Sequence, residues 1–380
     1  MKWPSQRKVW LSGAMLVISG MLAFPAARLA SPPSSIGTLV SAGSMSVARS
    51  GHTATLLPNG KVLITGGMER NGVFFAGADL YNPSTGAFTP TGSMSSRRVS
   101  HTATLLPSGK VLIAGGMKDA VTILAELEIY DPAAGQFTSA GKTAVRRANQ
   151  SAVLLSTGKV LFIGGYEEWP QFLVSAELYD PATGKSVATG SMLSPRLPHF
   201  AVALKDGRVL VAGGTRARND VIAAAEIYDP ARREFSPAGS MTEARHKHAA
   251  VLLPDGKVLI AGGSDSRDWR GQMASAELFD PLTLKFSAAA NMAAARFKHA
   301  SAVVLLRDGR ALFAGGAQSP EIFDPRSGRW NPVAGSLDGP RYFSTATLLP
   351  DGSVLIAGGY DAGHPNTGPL STARAWLFKP

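Results

Sequence analysis

Two residue types that bind anions and metal ions recur along this chain at fixed positions. Seven arginines stand at nearly regular intervals, at Arg49, Arg98, Arg147, Arg196, Arg245, Arg296 and Arg341. Five of them are followed three residues later by a histidine, at His52, His101, His199, His248 and His299. Guanidinium groups bind carboxylates and phosphates, and neutral imidazoles bind metal ions. If either set converges in the folded chain, it predicts an anion-binding or metal-binding site.

The arginines have an alternative partner within the chain. Each of the first six is followed, 25 to 32 residues later, by an acidic residue in an apolar segment, at Asp79, Glu128, Glu177, Glu226, Glu277 and Glu321. Because this pairing repeats while a ligand site need not, we favour a buried arginine–carboxylate pair in every unit. The other interpretation, an arginine-lined mouth for anionic ligands, stays open.

The histidines have two interpretations as well. They could surround a central opening and bind a metal ion, because imidazole nitrogens are common metal ligands. Equivalent residues of different repeats, however, usually stand too far apart to share one ion. We therefore favour hydrogen-bonded structural histidines and predict neither a metal nor a cofactor.

The arginines and histidines belong to a repeat of about 49 residues. Its clearest marks are glycine pairs that begin at Gly66, Gly115, Gly164, Gly213, Gly262, Gly315 and Gly358. Each unit carries an apolar segment, a tight Gly turn, a Lys-Val-Leu-Ile-like run into the glycine pair, an Asp-Pro-like segment and an aromatic segment. Four short β segments punctuated by glycine turns predict a four-stranded antiparallel sheet. Seven such sheets can bury their faces only against one another, which predicts an all-β, seven-bladed β-propeller.

The double glycine and the aromatic residue in the repeat resemble the kelch motif, and the resemblance covers residues 36–380. It implies four-stranded blades, which we letter a to d from the centre outward. Residues 37–45 align with Gly86–Met94, and the C-terminal 376–380 aligns with the Asp-Pro-like segment. We therefore expect the last blade to take its fourth strand from residues 37–43, which removes the sheet edges.

One face of this propeller is expected to carry the function. The a–b and c–d turns are short, whereas the b–c loops are long and variable and share a face with the arginine–histidine segments. Two loop aromatics, Trp169 and Trp269, could stack on sugars or anchor a protein partner, or simply pack on neighbouring loops. We predict a non-catalytic recognition module for a protein or polysaccharide that acts through this face, and we expect a monomer.

Two enzyme classes with similar propellers were weighed against this prediction. Galactose oxidase and its relatives place a Tyr-His pair after the arginine and bind copper there. Here none of the five histidines follows a tyrosine, and the chain has no cysteine to cross-link a radical tyrosine. Radical copper chemistry is therefore not predicted. Sialic-acid mutarotases are also exported kelch propellers, so a carbohydrate-acting enzyme, such as a sugar mutarotase or epimerase, remains the alternative.

The N-terminus and the composition indicate where the protein acts. Lys2, Arg7 and Lys8 precede an uncharged apolar run over residues 9–24, which is typical of a signal peptide. We expect residues 1–30 to be a signal peptide or an N-terminal membrane anchor, and 31–380 to form the propeller. The protein would then be periplasmic or secreted, or membrane-anchored if the signal is uncleaved. A net charge of +11 is spread along the chain, so no nucleic-acid partner is predicted.

Overall fold

The computed structural model describes residues 36–69, 72–197, 199–217, 219–361 and 370–380. Over these residues the chain forms seven four-stranded antiparallel sheets and two additional two-stranded hairpins. The predicted seven-bladed, all-β propeller is therefore confirmed. The expected signal peptide or anchor lies outside the described residues. Within them, no helix combines the length and the apolar character that a membrane crossing would need.

Each of blades 1 to 6 is a meander whose strands follow in chain order, and blade 7 adds a strand from the start of the described chain. Blade 1 has β2 (Thr53–Leu56), β3 (Val62–Thr65), β4 (Ala78–Asn82) and β5 (Ala87–Thr91), and blade 2 has β6 (Thr102–Leu105), β7 (Val111–Ala114), β8 (Glu126–Asp131) and β9 (Gln136–Lys142). Blade 3 has β10 (Ser151–Leu154), β11 (Val160–Ile163), β14 (Ala176–Asp180) and β15 (Lys185–Ala188), and blade 4 has β16 (Phe200–Ala203), β17 (Val209–Ala212), β20 (Ala224–Asp229) and β21 (Glu234–Ser240). Blade 5 has β22 (Ala249–Leu252), β23 (Val258–Ala261), β24 (Ala276–Asp280) and β25 (Lys285–Ala289), and blade 6 has β26 (Val303–Leu305), β27 (Ala311–Phe313), β28 (Glu321–Asp324) and β29 (Arg329–Pro332). Blade 7 has β30 (Thr345–Leu348), β31 (Val354–Ala357), β32 (Arg374–Lys379) and, as its outer strand, β1 (Thr38–Ser44).

The ring closes in two independent ways. At the rim, β1 pairs with β32, with Leu39 opposite Phe378 and Ser41 opposite Trp376. At the centre, the seven a strands contact one another in an unbroken cycle that returns from β30 to β2. The early segment is thus paired as the sequence predicted, and an up-and-down sheet edge in blade 7 is covered.

The core lies between the blades. Strand b of every blade is buried along its whole length, as in Val62–Thr65 and Val209–Ala212. Its side chains alternate between the two blade faces, because successive residues of a strand point to opposite sides of the sheet. Val209 and Val211 accordingly pack in one cluster with Leu161 of blade 3, while Leu210 packs with Val258 of blade 5. The apolar Val-Leu-Ile runs of the sequence therefore form the buried b strands, and each b strand packs against the neighbouring blade on both of its faces.

Two b–c loops contain structure that the sequence did not indicate. In blade 3 the loop forms a hairpin from β12 (Tyr166–Glu168) and β13 (Gln171–Phe172). In blade 4 it forms a second hairpin from β18 (Thr215–Ala217) and β19 (Asp220–Val221). The b–c loop of blade 5 contains a single 3-10 turn at Asp268–Arg270. The b–c loops of blades 3, 4 and 5 therefore contain regular structure of their own.

The first glycine of each pair is required where two blades meet. A Cβ on Gly213 would lie 2.5 Å from the carbonyl oxygen of Arg245 and 2.6 Å from Cε1 of His248, and its φ is +64°. Gly184 has nearly the same φ of +67° but faces open space. We expect Gly184→Ala to cost about 1–2 kcal/mol for the left-handed backbone. Gly213→Ala adds overpacking and is expected to cost about 2–5 kcal/mol.

Urea unfolding of the two variants separates these contributions, because only one of the matched sites is crowded. Equal losses of unfolding free energy in Gly213→Ala and Gly184→Ala would show that the glycine pair serves backbone conformation alone and not the contact between blades.

Candidate functional site

The arginines of the repeat lie inside the blades. In blades 1 to 6 each guanidinium is buried and pairs with the acidic residue of strand c in its own blade. The nitrogen–oxygen distances are 3.1 Å for Arg49–Asp79, 2.8 Å for Arg147–Glu177, 3.1 Å for Arg245–Glu277 and 2.7 Å for Arg296–Glu321, and Arg98–Glu128 and Arg196–Glu226 are paired in the same way. The structure thus shows the buried arginine–carboxylate pair in six blades.

The same guanidinium groups satisfy backbone carbonyls of the glycine pairs. Arg49 Nη1 donates to the carbonyl oxygens of Gly66, at 3.0 Å, and Gly77, at 3.1 Å. Arg196 Nη1 makes the equivalent contact with Gly213, at 3.1 Å. Each arginine therefore ties the start of its blade to the beginning of the b–c loop. The ligand-binding role of the arginines stays a prediction, while their terminal Nη donors are engaged by protein acceptors.

Blade 7 departs from this pattern for a visible reason. Trp376 occupies the strand c position that is acidic elsewhere, opposite Ile356 of strand b. Arg341 instead donates from Nε to Asp338, at 2.8 Å, and lies 3.6 Å from Asp361. Its guanidinium also stands over the Trp376 ring, 5.8 Å from the centroid. The charge is still neutralised, but by carboxylates from the loops.

The histidines pack between neighbouring blades. A Cβ on Gly66 would come within 2.7 Å of Cε1 of His101, and one on Gly358 within 2.7 Å of Cε1 of His52. His52 Nε2 lies 3.0 Å from the hydroxyl of Thr345, which belongs to blade 7. The imidazoles thus fill the space that the glycines leave, and the contact repeats across the closure of the ring.

These imidazoles are neutral at physiological pH. Burial, helped by the charge of the nearby arginine, lowers the pKa of His52, His199 and His299 to about 3. The pKa of His101 and of His248 also falls well below the ordinary value, mainly through burial. Among the described residues no three histidine, aspartate or glutamate side chains group in a way that would hold a metal ion.

The residue directly before each histidine position forms the mouth of the propeller. This position has a left-handed backbone at Gly51, Ser100, Asn149, Lys247, Lys298 and Phe343, with φ between 52° and 61°. All six line a central cavity of about 170 Å³ together with His52, Thr53, His101, Gln150, His199, Ala300 and Ser301. Sequence analysis missed this set, because its members share a backbone conformation rather than a side-chain type. The fixed place between arginine and histidine was the available signal.

A second pocket opens beside the mouth, between the b–c loops of blades 3, 4 and 5. It measures about 380 Å³ and is lined by Asn149, Trp169, Phe172, Leu197, Thr215, Ala217, Asn219, Val221, His246, Lys247, Ser266, Asp268 and Phe343. Trp169 and Phe172 come from the blade 3 hairpin. Polar groups from blade 5 stand in the same lining, among them Lys247, which is paired with Asp268.

The two tryptophans named from the sequence have different surroundings. Trp169 is 60% exposed and is steadied by Tyr166 and Phe172, whose ring centroids lie 5.9 and 5.4 Å away. It also lines a further pocket of about 370 Å³ on the blade 2 side. Trp269 is 40% exposed but packs edge-on against Phe297 and Tyr342, at 4.7 and 4.9 Å. Trp169 thus leaves most of its ring open to solvent, whereas Trp269 is largely part of the loop packing.

The comparisons with known proteins agree with this architecture. The kelch motif matches residues 245–293, which span blade 5 from its arginine to the following outer strand. The chain is a kelch-repeat β-propeller. Among solved structures, a fungal alcohol oxidase of the AA5 family in complex with copper is similar, with a TM-score of 0.71 and 21% identity over 90% of this chain and 76% of that chain. No curated protein matches significantly.

The similarity to the fungal oxidase concerns the fold, and the mouth of this kelch propeller does not fit its copper. The five histidines belong to separate blades and are buried against glycines of their neighbours. The mouth residues that precede them are Gly51, Ser100, Lys247 and Lys298 in blades 1, 2, 5 and 6, and none of these is a usual copper ligand in proteins. We therefore derive no chemistry through copper at this site.

Proposed function

We propose that this kelch propeller is an exported, non-catalytic module that binds a glycan in the pocket between the b–c loops of blades 3, 4 and 5. The observation that carries the proposal is the free indole face of Trp169 beside a polar wall. Sugar rings present both apolar C–H faces and hydroxyl groups, so a site for them needs an aromatic platform and convergent hydrogen-bonding groups.

The geometry meets both needs. Trp169 and Phe172 supply the apolar wall, and Asn149, Asn219 and Ser266 supply donors and acceptors on the others. The platform is ordered, because Trp169 stands on a short hairpin and contacts two further aromatic rings. A pocket on each side of Trp169 favours an oligosaccharide that crosses the indole over a single sugar. Burial of such an aromatic contact is the kind of interaction that dominates a binding interface.

Substitution of the platform tests the proposal. A panel of neutral and acidic oligosaccharides is titrated calorimetrically against residues 31–380, and the best binder is then measured with Trp169→Ala and Trp169→Phe. Loss of the indole is expected to weaken binding at least tenfold, which corresponds to about 1.4 kcal/mol. Trp169→Phe keeps an aromatic face, so its affinity should lie between those of the wild-type protein and Trp169→Ala.

Leu282→Ala is the matched control, because Leu282 is 90% exposed in the c–d turn on the opposite face. Unchanged affinity in Trp169→Ala, or no binding by any glycan of the panel, contradicts the proposal. NMR detection of accelerated anomer exchange would instead favour the alternative, a carbohydrate-acting enzyme such as a mutarotase or epimerase.

A further inference from the structure

An unusual lysine stands at the central mouth, apart from the Trp169 platform. Lys298 is 8% exposed and lines the central cavity. Its Nζ donates a hydrogen bond to the hydroxyl of Tyr360, at 2.9 Å. Four aromatic rings surround the amine, with centroids 4.0 Å away for Trp269, 4.9 Å for Phe297, 5.6 Å for Tyr360 and 5.8 Å for Phe343. The residue thus lies at the cavity, and its amine is held among these rings and against the Tyr360 hydroxyl.

The charges around Lys298 do not neutralise its ammonium form. In the part of the chain that the structure describes, Lys298 makes no ion pair with a carboxylate, and the remaining residues contain no Asp or Glu. Asp268, the carboxylate whose charge acts on Lys298, is engaged by Lys247. Burial, and then the charge of Lys247, lower the pKa of Lys298 to about 8, against the opposing charge of Asp268. The aromatic faces attract the ammonium form and limit this fall.

We propose that Lys298 is a nucleophilic amine that forms a reversible imine with small aldehydes or ketones entering the central cavity. A lysine that is desolvated and stands beside a second cation is the arrangement that activates amines toward carbonyl compounds. The nearby titratable groups are Lys247, His246 and Asp268 from blade 5, and Tyr342 and Tyr360 from blade 7. Burial raises the pKa of both tyrosines, so the Tyr360 hydroxyl stays neutral beside the amine.

The reaction balances without any further reagent. The nitrogen lone pair forms a bond to the carbonyl carbon, and the carbonyl oxygen takes up a proton. The resulting hydroxyl group then leaves as water with a second proton. Both protons lost by the amine are thereby carried away in one water molecule, and no oxidant or reductant is consumed. The cavity of about 170 Å³ restricts this chemistry to compounds of a few carbon atoms. The inference does not depend on glycan binding at Trp169.

Trapping with a small aldehyde tests the proposal on the intact protein. Residues 31–380 are incubated with glycolaldehyde and cyanoborohydride at pH 7.5, and the alkylated lysines are quantified over time by peptide mapping. With a pKa of about 8, about a quarter of Lys298 is neutral at this pH, against about one part in a thousand for an ordinary lysine. Lys298 is expected to react at least tenfold faster than the solvent-exposed Lys142 and Lys185.

Two variants give the sign of the electrostatic effect without changing the lysine itself. Asp268→Asn removes an opposing carboxylate and should speed labelling of Lys298 at pH 7.5, whereas Lys247→Met removes a cation and should slow it. Labelling of Lys298 at or below the rate of the exposed lysines overturns the proposal. So does labelling that does not respond to either variant. Loss of glycan binding in Trp169→Ala has no bearing on this result.

Discussion

Replacing Arg147 by methionine is expected to lower the free energy of unfolding by about 3–5 kcal/mol, because it leaves the carboxylate of Glu177 buried without its cation. Glu177 accepts hydrogen bonds from the guanidinium, from the amides of Ala144, at 2.8 Å, and Val145, at 3.1 Å, and from the hydroxyl of Ser186, at 2.8 Å. Burial alone would raise the pKa of Glu177, but these donors, led by Arg147, hold it below the ordinary value.

The same blade provides an exposed pair as the control. Lys159 and Asp180 lie 3.1 Å apart with side chains that are 39% and 29% exposed, so Lys159→Ala should cost no more than about 1 kcal/mol. Urea unfolding compares the two variants. The double variant Arg147→Met/Glu177→Leu removes both buried charges and is expected to be more stable than Arg147→Met alone. A cost for Arg147→Met equal to that of Lys159→Ala would mean that the buried pair does not stabilise the blade.

Acid is expected to destabilise the propeller steeply between pH 6.5 and about 3, through the five buried histidines of the repeat. In the unfolded chain these imidazoles bind protons below their ordinary pKa of 6.5, whereas in the folded chain burial lowers the pKa of His52, His199 and His299 to about 3. The unfolded state therefore binds more protons over this interval, and stability that is fully present above pH 6.5 is lost as the pH falls. Each histidine contributes about 1.4 kcal/mol per pH unit.

Blade 3 supplies the variant that isolates this effect. Gln150 occupies the histidine position there and donates from Nε2 to the carbonyl oxygen of Ala114, at 2.8 Å. His248→Gln should therefore be tolerated at pH 7 and should reduce the stability lost between pH 7 and pH 4.5 by about 2.5 kcal/mol. Gln150→His should increase that loss. Carboxylates such as Glu177 add to the wild-type slope, so the difference between variants is the measurement. An unchanged pH dependence in both would contradict the assignment of buried, neutral histidines.

The candidate site residues could not be identified from the repeat pattern of the sequence. Arginine and histidine attract attention in the sequence because they recur, but their recurrence reflects structural contacts, which lie within the blade for the arginines and between neighbouring blades for the histidines. The residues of the mouth differ from blade to blade, as at Gly51, Asn149, Lys298 and Phe343, so no recurring side chain marks them in the sequence. The special surroundings of Lys298 depend on Trp269 and Tyr360, which come from the loops of two other blades.

The sequence by itself determined the repeat, the seven blades, the carboxylate partners of the first six arginines and the closing strand, which was predicted at residues 37–43 and lies at Thr38–Ser44. These follow from local periodicity, turn glycines and alignment of one repeat with the next, all of which are encoded within about 50 residues. Only the tertiary structure decided which loop residues meet, that Trp169 is more exposed than Trp269, and that Lys298 forms no ion pair among the residues the structure describes. Such facts depend on the distance between loops of different blades, and that distance is set by ring closure and loop conformation rather than by any local pattern.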